Sequence, residues 1–258
     1  MSTARLAAWL DSYRAPLKDA LQAAVADGYH LLEANAARGE FDPRELGTSA
    51  RRHLSRYVRN LGAELTALSI EWPGLGLADP RRADQRVDQL RRVLELCADL
   101  RVRHAGVSLS GFDHPKVAPL AQELLGVVGD LADRFGVDVV VHGGQPPSDA
   151  LVQSIRAAQC PSLQIGVDTG HLVAGVEAVE RYAALVGSVR LRDVRPAGAQ
   201  VEEVPFGQGR VDFPALLARL EGGGYGGPFV VRRDQPGIDA MRQGREYIAS
   251  LIARPVRR

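Results

Sequence analysis

The chain has 258 residues, 45% of them apolar, and 32 Lys and Arg against 31 Asp and Glu give a formal net charge of +1. That length accommodates one large α/β domain with a sizeable core. The charge balance leaves no global footprint for nucleic acid or a membrane surface, so neither is expected as a partner.

Lys occurs only at Lys18 and Lys116, so nearly all positive charge is Arg, which fits a coding bias and discounts any argument from a single surface Arg. Cys97 and Cys160 are the only cysteines and lack CxxC spacing, as expected of two reduced thiols in a cytoplasmic protein. The first apolar run is broken by Asp11 and Arg14, too short and polar for a signal peptide, and no run reaches the ~18 residues of a membrane span.

In chain order, short apolar strands alternate with longer amphipathic helices. Residues 5–10 read as a first strand, and 16–27 as a helix with Pro16 at its start and Gly28 at its end. Strands at 30–34 and 64–72 flank a helical region over 42–61. A helix over 84–101 places Val87, Leu90, Val93, Leu94, Cys97 and Leu100 on one face. A strand at 104–109 and a helix at 117–135 follow. Residues 137–142 form a nearly continuous apolar run, the pattern of a parallel strand buried on both faces.

Residues 148–158 read as a helix with Ser148 as N-cap, then a strand at 163–168, a helix at 176–186 and a strand at 188–194. A helix at 212–220, a strand at 228–232 and a helix at 238–252 complete the pattern, before a basic tail at 254–258. Eight strand–helix units predict an α/β fold, a single (βα)8 TIM barrel, as one domain over 1–258. A doubly wound sheet is the alternative, but no GxGxxG follows the first strand.

In such a barrel functional groups lie at the C-terminal ends of the strands. Those ends carry Glu33, Glu71, Ser108 and Ser110, His142, Asp168 with His171, Arg190 with Arg192 and Asp193, and Arg232 with Arg233 and Asp234. The pivotal stretch is Ile165-Gly166-Val167-Asp168-Thr169-Gly170-His171, an apolar run delivering a carboxylate, a turn and an imidazole.

Four segments resemble the xylose isomerase-like TIM barrels, the group of sugar phosphate isomerases/epimerases that also includes apurinic endonucleases. They are Gly136-Val137-Asp138-Val139-Val140-Val141, Val167-Asp168-Thr169-Gly170-His171, Val189-Arg190-Leu191-Arg192-Asp193, and the stretch from Val204-Pro205-Phe206-Gly207-Gln208-Gly209-Arg210-Val211-Asp212-Phe213 to Gly224-Tyr225-Gly226-Gly227-Pro228-Phe229-Val230-Val231. The resemblance implies a divalent cation held by Glu, Asp, His and Glu from strands five to eight. Carried over, only Asp168 survives; His142, Arg190 and Arg232 stand at the other positions, while His171 and Asp193 match positions near metal and substrate.

Arg is always protonated and has no lone pair, so it cannot be a ligand. At ~6 Å and an effective dielectric near 20, each guanidinium costs an arriving cation about 3 kcal/mol per unit charge. No metal is therefore expected, and no other cofactor, although His142 and Asp168 could still act as weak ligands. Adjacent arginines need anions, and they bind carboxylate or phosphate well.

Each residue also has a plainer reading. Asp168 can simply pair with Arg190; His171 can be a loop or capping residue, and His142 a packed histidine. Arg192, Arg233 and Asp234 read as rim groups, Gly207 and Gly209 as turn residues, and Glu33 and Glu71 as an acid/base pair or as partners for Arg.

The expected function is a metal-independent isomerase/epimerase acting through an enediolate on a small anionic sugar-like or hydroxy-acid substrate. Asp168, His171, His142 and Glu33 are the catalytic candidates, and Arg190, Arg232, Asp193 and Glu71 the substrate-binding ones. The alternative is a non-catalytic pseudoenzyme or small-molecule-binding barrel. An apurinic endonuclease is excluded because no His follows His171 and no basic groove is evident. The resemblance also implies a possible homodimer.

Overall fold

A computed structural model describes residues 5–143, 146–198, 200–236 and 239–253. The expected helix start at Ile238 and the basic tail at 254–258 lie outside the described residues. The strands are β1 (Leu6–Trp9), β2 (Leu31–Asn35), β3 (Glu64–Ile70), β4 (His104–Ser108), β5 (Asp138–His142), β6 (Leu163–Asp168), β7 (Val186–Leu191), β8 (Asp193–Ala197), β9 (Gln200–Val204) and β10 (Phe229–Val231). The helices are α1 (Leu17–Ala26), α2 (Thr48–Asn60), α3 (Ala83–Leu100), α4 (Ala118–Phe135), α5 (Asp149–Ala158), α6 (Phe213–Gly222) and α7 (Ala240–Ile252). Eight parallel strands close into a barrel in the order β1-β10-β7-β6-β5-β4-β3-β2, with β8 and β9 a separate antiparallel pair. This is the α/β TIM barrel the alternating pattern predicts.

By contact the chain divides into a central unit, Glu33–Gly166, and a terminal unit made of Met1–Leu32 and Val167–Arg258. In the central unit β3, β4 and β5 pair in register, Ala67 with His104 and Ser108 with His142, and β5 continues onto β6 through Val139 and Leu163. Val139, Val140 and Val141 are all buried, as a strand covered on both faces requires. Helices α3 and α4 bury Leu90, Val93, Leu94 and Cys97, and Ala121, Leu125 and Val128. Ser148 caps α5 as expected, its hydroxyl accepting from Leu151 N–H at 3.2 Å.

In the terminal unit β10 lies between β1 and β7, with Ala8 opposite Val231 and Val230 opposite Arg190. Ala7, Trp9 and Val230 form one buried cluster. Phe206, Phe213 and Tyr247 form another, with ring centroids 5.5–6.2 Å apart.

Three expectations are corrected. The helix over 176–186 is instead a pair of 3₁₀ turns, Glu177–Arg181 and Ala183–Leu185. Its buried residues Val176, Val179, Tyr182, Ala183 and Val186 also match helical spacing, so the pattern does not separate the two. The helix expected from Asp42 begins only at Thr48, because Asp42 precedes Pro43 and is held extended at ψ 123°. Strand seven stops at Leu191, and the chain then turns back through the β8–β9 hairpin, with Gly198 left-handed at φ 63°. The alternation from Val194 to Val204 around Pro196 and Gly198 was the available signal.

Among the described residues no helix is long and apolar enough to cross a membrane. Ser148→Ala is expected to cost about 1 kcal/mol in urea unfolding, because it removes the side-chain N-cap of α5.

Candidate active site

The site of the terminal unit is built on the stretch that ends β6. Asp168 Oδ1 accepts the Gly170 N–H at 2.8 Å, which caps the 3₁₀ turn Thr169–His171. The same oxygen accepts from Arg192 Nε at 2.9 Å. The buried Thr169 hydroxyl accepts the Arg192 N–H at 2.7 Å and donates to the Arg192 carbonyl at 2.6 Å. A Cβ on Gly170 would strike the Arg192 guanidinium. Asp168-Thr169-Gly170 is therefore a cradle for Arg192: the hydroxyl holds its backbone, the glycine leaves room for its side chain, and the carboxylate takes its charge.

From Arg192 the network runs outward. Its Nη1 donates to Asp234 Oδ2 at 2.7 Å, and Arg232 Nε donates to Asp234 Oδ1 at 2.8 Å. Arg232 and Arg190 both face the buried Trp9 ring, with Cζ 5.0 Å and 4.8 Å from its centroid. Desolvated cation–π contacts of this kind offset part of the cost of burying a guanidinium. The network thus holds three guanidiniums together with the carboxylates of Asp168 and Asp234.

Burial alone would raise the Asp168 carboxyl, but Arg192, Arg232 and His171 outweigh it and hold it below the ordinary carboxylate value. His171 is pushed down by burial; Asp168 opposes this, and Arg192 and Arg232 add to it, so the ring is neutral at pH 7. Burial would also lower Arg192, yet Asp168 and Asp234 raise it overall.

Two expectations about arginine are corrected. The carboxylate of Asp168 pairs with Arg192, not with Arg190, because Nε of Arg192 reaches it from one residue beyond β7 while Arg190 lies over Trp9. Arg192 and Arg233 are not rim groups. The Arg192 side chain is only 16% exposed, and Arg233 is 6% exposed and paired with Glu203 at 2.6 Å. Asp234 is 42% exposed, in keeping with a rim position.

Asp193, considered a substrate contact, is buried, and its carboxylate accepts the N–H groups of Gly207, Gly209 and Val211 at 2.8, 2.9 and 3.4 Å. Its work is to fold the loop that follows β9. Glu203 on β9 accepts from Arg233 Nε, from Asp234 N–H at 3.0 Å and from Gln235 N–H at 3.4 Å, and so fixes the segment that presents Asp234.

The remaining candidates lie in the central unit. Glu33 is buried on β2 and accepts the Ser69 hydroxyl at 2.5 Å. Glu71 lies half-buried just past β3. His142 ends β5, and its ring packs where a Cβ on Gly166 would stand, so Gly166 is a space-making residue.

Trp9, Thr169 and Glu203 were missed. Trp9 had a signal, since it closes β1 at the same strand end as the named residues; the partners of Thr169 and Glu203 are 23 or more residues away.

The positions matching the implied metal set include Arg190 and Arg232, which cannot donate to a cation. Among the described residues no group of three or more His, Cys, Asp or Glu could hold a metal ion. The residues of this chain thus do not fit that set.

The fold defines a TIM barrel with its candidate site at the strand ends. A family model described as xylose isomerase-like TIM barrel matches residues 21–251, and the chain belongs to that family. No curated protein sequence matches it. Among solved structures it is similar to a xylose isomerase domain protein from Planctomyces limnophilus, with a TM-score of 0.77 and 21% identity over 96% of this chain and 94% of that one. A xylose isomerase-like TIM barrel protein from Mycobacterium smegmatis in complex with magnesium matches with a TM-score of 0.78 and 16% identity over 98% of both chains. The 3-keto-D-glucoside 4-epimerase YcjR from E. coli matches at 0.73 and 18% identity, over 96% of this chain and 98% of that one.

Gly170→Ala is expected to push the Arg192 guanidinium off Asp168 and cost about 2 kcal/mol in urea unfolding. Asp193→Ala orphans buried N–H groups of the loop after β9 and should cost about 3 kcal/mol by the same measurement.

Proposed function

We propose that this barrel acts on a small anionic sugar-like or hydroxy-acid molecule as an isomerase or epimerase, without a divalent metal. The observation that supports this best is the pair of guanidiniums, Arg190 and Arg232, held over Trp9 where the family resemblance implies metal ligands.

In this reading a base removes the proton on the carbon next to the substrate carbonyl. The electron pair moves onto the carbonyl oxygen, giving an enediolate. Arg190 and Arg232 stabilise that oxyanion in place of a cation, a preorganised electrostatic role. Passing the hydroxyl proton from the adjacent oxygen to the former carbonyl oxygen, and returning the carbon-bound proton to the former carbonyl carbon, gives an isomer; returning it to the opposite face of the original carbon gives an epimer. His171 is the preferred base, because its ring is held neutral, whereas Asp168 is ionised and committed to Arg192.

A non-catalytic binding barrel is the second reading, favoured by one observation: Arg192 and Arg232 already share the carboxylate of Asp234. A thermal-shift and turnover screen of sugar phosphates and hydroxy acids separates the two. Stabilisation without turnover favours the second reading. A stoichiometric, tightly bound divalent metal found by elemental analysis defeats the metal-free mechanism.

Arg232→Gln is expected to lower turnover about 100-fold with little change in melting temperature, as loss of an oxyanion contact does. The neutral His171 ring is the active form and its pKa lies below 6.5, so the rate should fall on the acid side with a midpoint under 6.5 and stay flat up to neutral pH. His171→Asn removes the base, so turnover should fall sharply at every pH.

A further inference from the structure

Asp234 is the point where the network of the terminal unit meets solvent. Its two carboxylate oxygens are divided between two guanidiniums, Oδ1 to Arg232 at 2.8 Å and Oδ2 to Arg192 at 2.7 Å. Both arginines are largely buried, with side chains 13% and 16% exposed, while Asp234 is 42% exposed. Its backbone is fixed separately, by Glu203. The side chain can therefore rotate into water without moving the chain that carries it, whereas neither guanidinium has that freedom.

Resting on the proposal of an anionic ligand, we infer that Asp234 is a built-in stand-in for the ligand's own carboxylate. The ligand's acid group takes the place of Asp234 between Arg192 and Arg232.

Geometry and charge both select a carboxylate. The two donors meet the separate oxygens of one planar acid group, and charge-assisted hydrogen bonds of arginine to a carboxylate are strong. Arg190, Arg192 and Arg232 supply three positive charges. Asp168 and the displaced Asp234 keep two carboxylates beside them. A phosphate, with about −1.5 to −2 charge at neutral pH, is repelled by those carboxylates more than a monoanion is. The ligand class is thus a monocarboxylate such as a sugar acid or hydroxy acid, and occupation of the arginines by Asp234 weakens its binding by direct competition.

The test is isothermal titration of D-gluconate, inorganic phosphate and sorbitol into the wild-type chain, D234N and D239N. Asp239 lies on the same segment and pairs with Arg242, so D239N makes the same charge change away from the two arginines. Gluconate is expected to bind D234N about tenfold tighter than wild type. Wild type should bind phosphate more weakly than gluconate, and D239N should match wild type. D234S, checked for folding by circular dichroism, provides the same comparison if D234N does not fold.

Gluconate binding that is equal in wild type and D234N overturns the displacement and leaves the anion-binding function standing. An equal gain in D239N reduces the effect to net charge and overturns it too. Phosphate binding to wild type as tightly as gluconate overturns the carboxylate class. Failure of every chain to bind either anion overturns both this inference and the function on which it rests.

Discussion

Placing three guanidiniums in one unit of a small barrel is a problem of desolvation, and the pair between Asp168 and Arg192 is where its solution begins. A buried charge is costly unless it is paired and its remaining hydrogen-bonding capacity is met. Arg192 meets that requirement through Asp168 and Asp234 at its side chain and through Thr169 at its backbone. The order of residues after β6 follows from this demand. A carboxylate, a hydroxyl and a glycine in succession supply charge, backbone partners and space.

The same demand explains the hairpin of β8 and β9. Asp193 starts it and gathers the N–H groups of the loop that follows. Glu203 near its end holds Arg233 and the backbone of Asp234 and Gln235. Asp234 then completes Arg192 and Arg232. Hairpin and arginine network are thus one electrostatic system, in which a carboxylate on one element fixes a segment so that the next carboxylate meets its cations. Trp9 contributes from β1 a π-face for Arg190 and Arg232, which an aliphatic residue would not provide.

The consequence for chemistry is a change of sign. The resemblance to the family implies carboxylates and imidazoles gathered around a cation. This chain gathers cations, balances most of them internally and keeps a neutral imidazole beside them. In the function proposed above, such a site serves a ligand that brings negative charge, or a reaction that develops it on oxygen.

Much of this was legible before any coordinates. The alternation of apolar runs with amphipathic stretches is a local property, because a strand covered on both faces and a helix with one buried face each impose a period on neighbouring residues. It therefore specified eight strands, most of the helices and the Ser148 cap, and the strand-end rule singled out Asp168, Arg190 and Arg232. It failed where the local pattern is ambiguous, as in the stretch from Val176 to Leu185, where buried Val176, Val179 and Ala183 keep helical spacing but the chain forms 3₁₀ turns. Partnership is different in kind. Whether Asp168 meets Arg190 or Arg192, and whether Asp193 faces a ligand or its own loop, depends on side-chain direction and on residues 14 to 24 positions away. No periodicity encodes those distances. They follow only when packing fixes which guanidinium reaches the carboxylate and which is turned onto the face of Trp9.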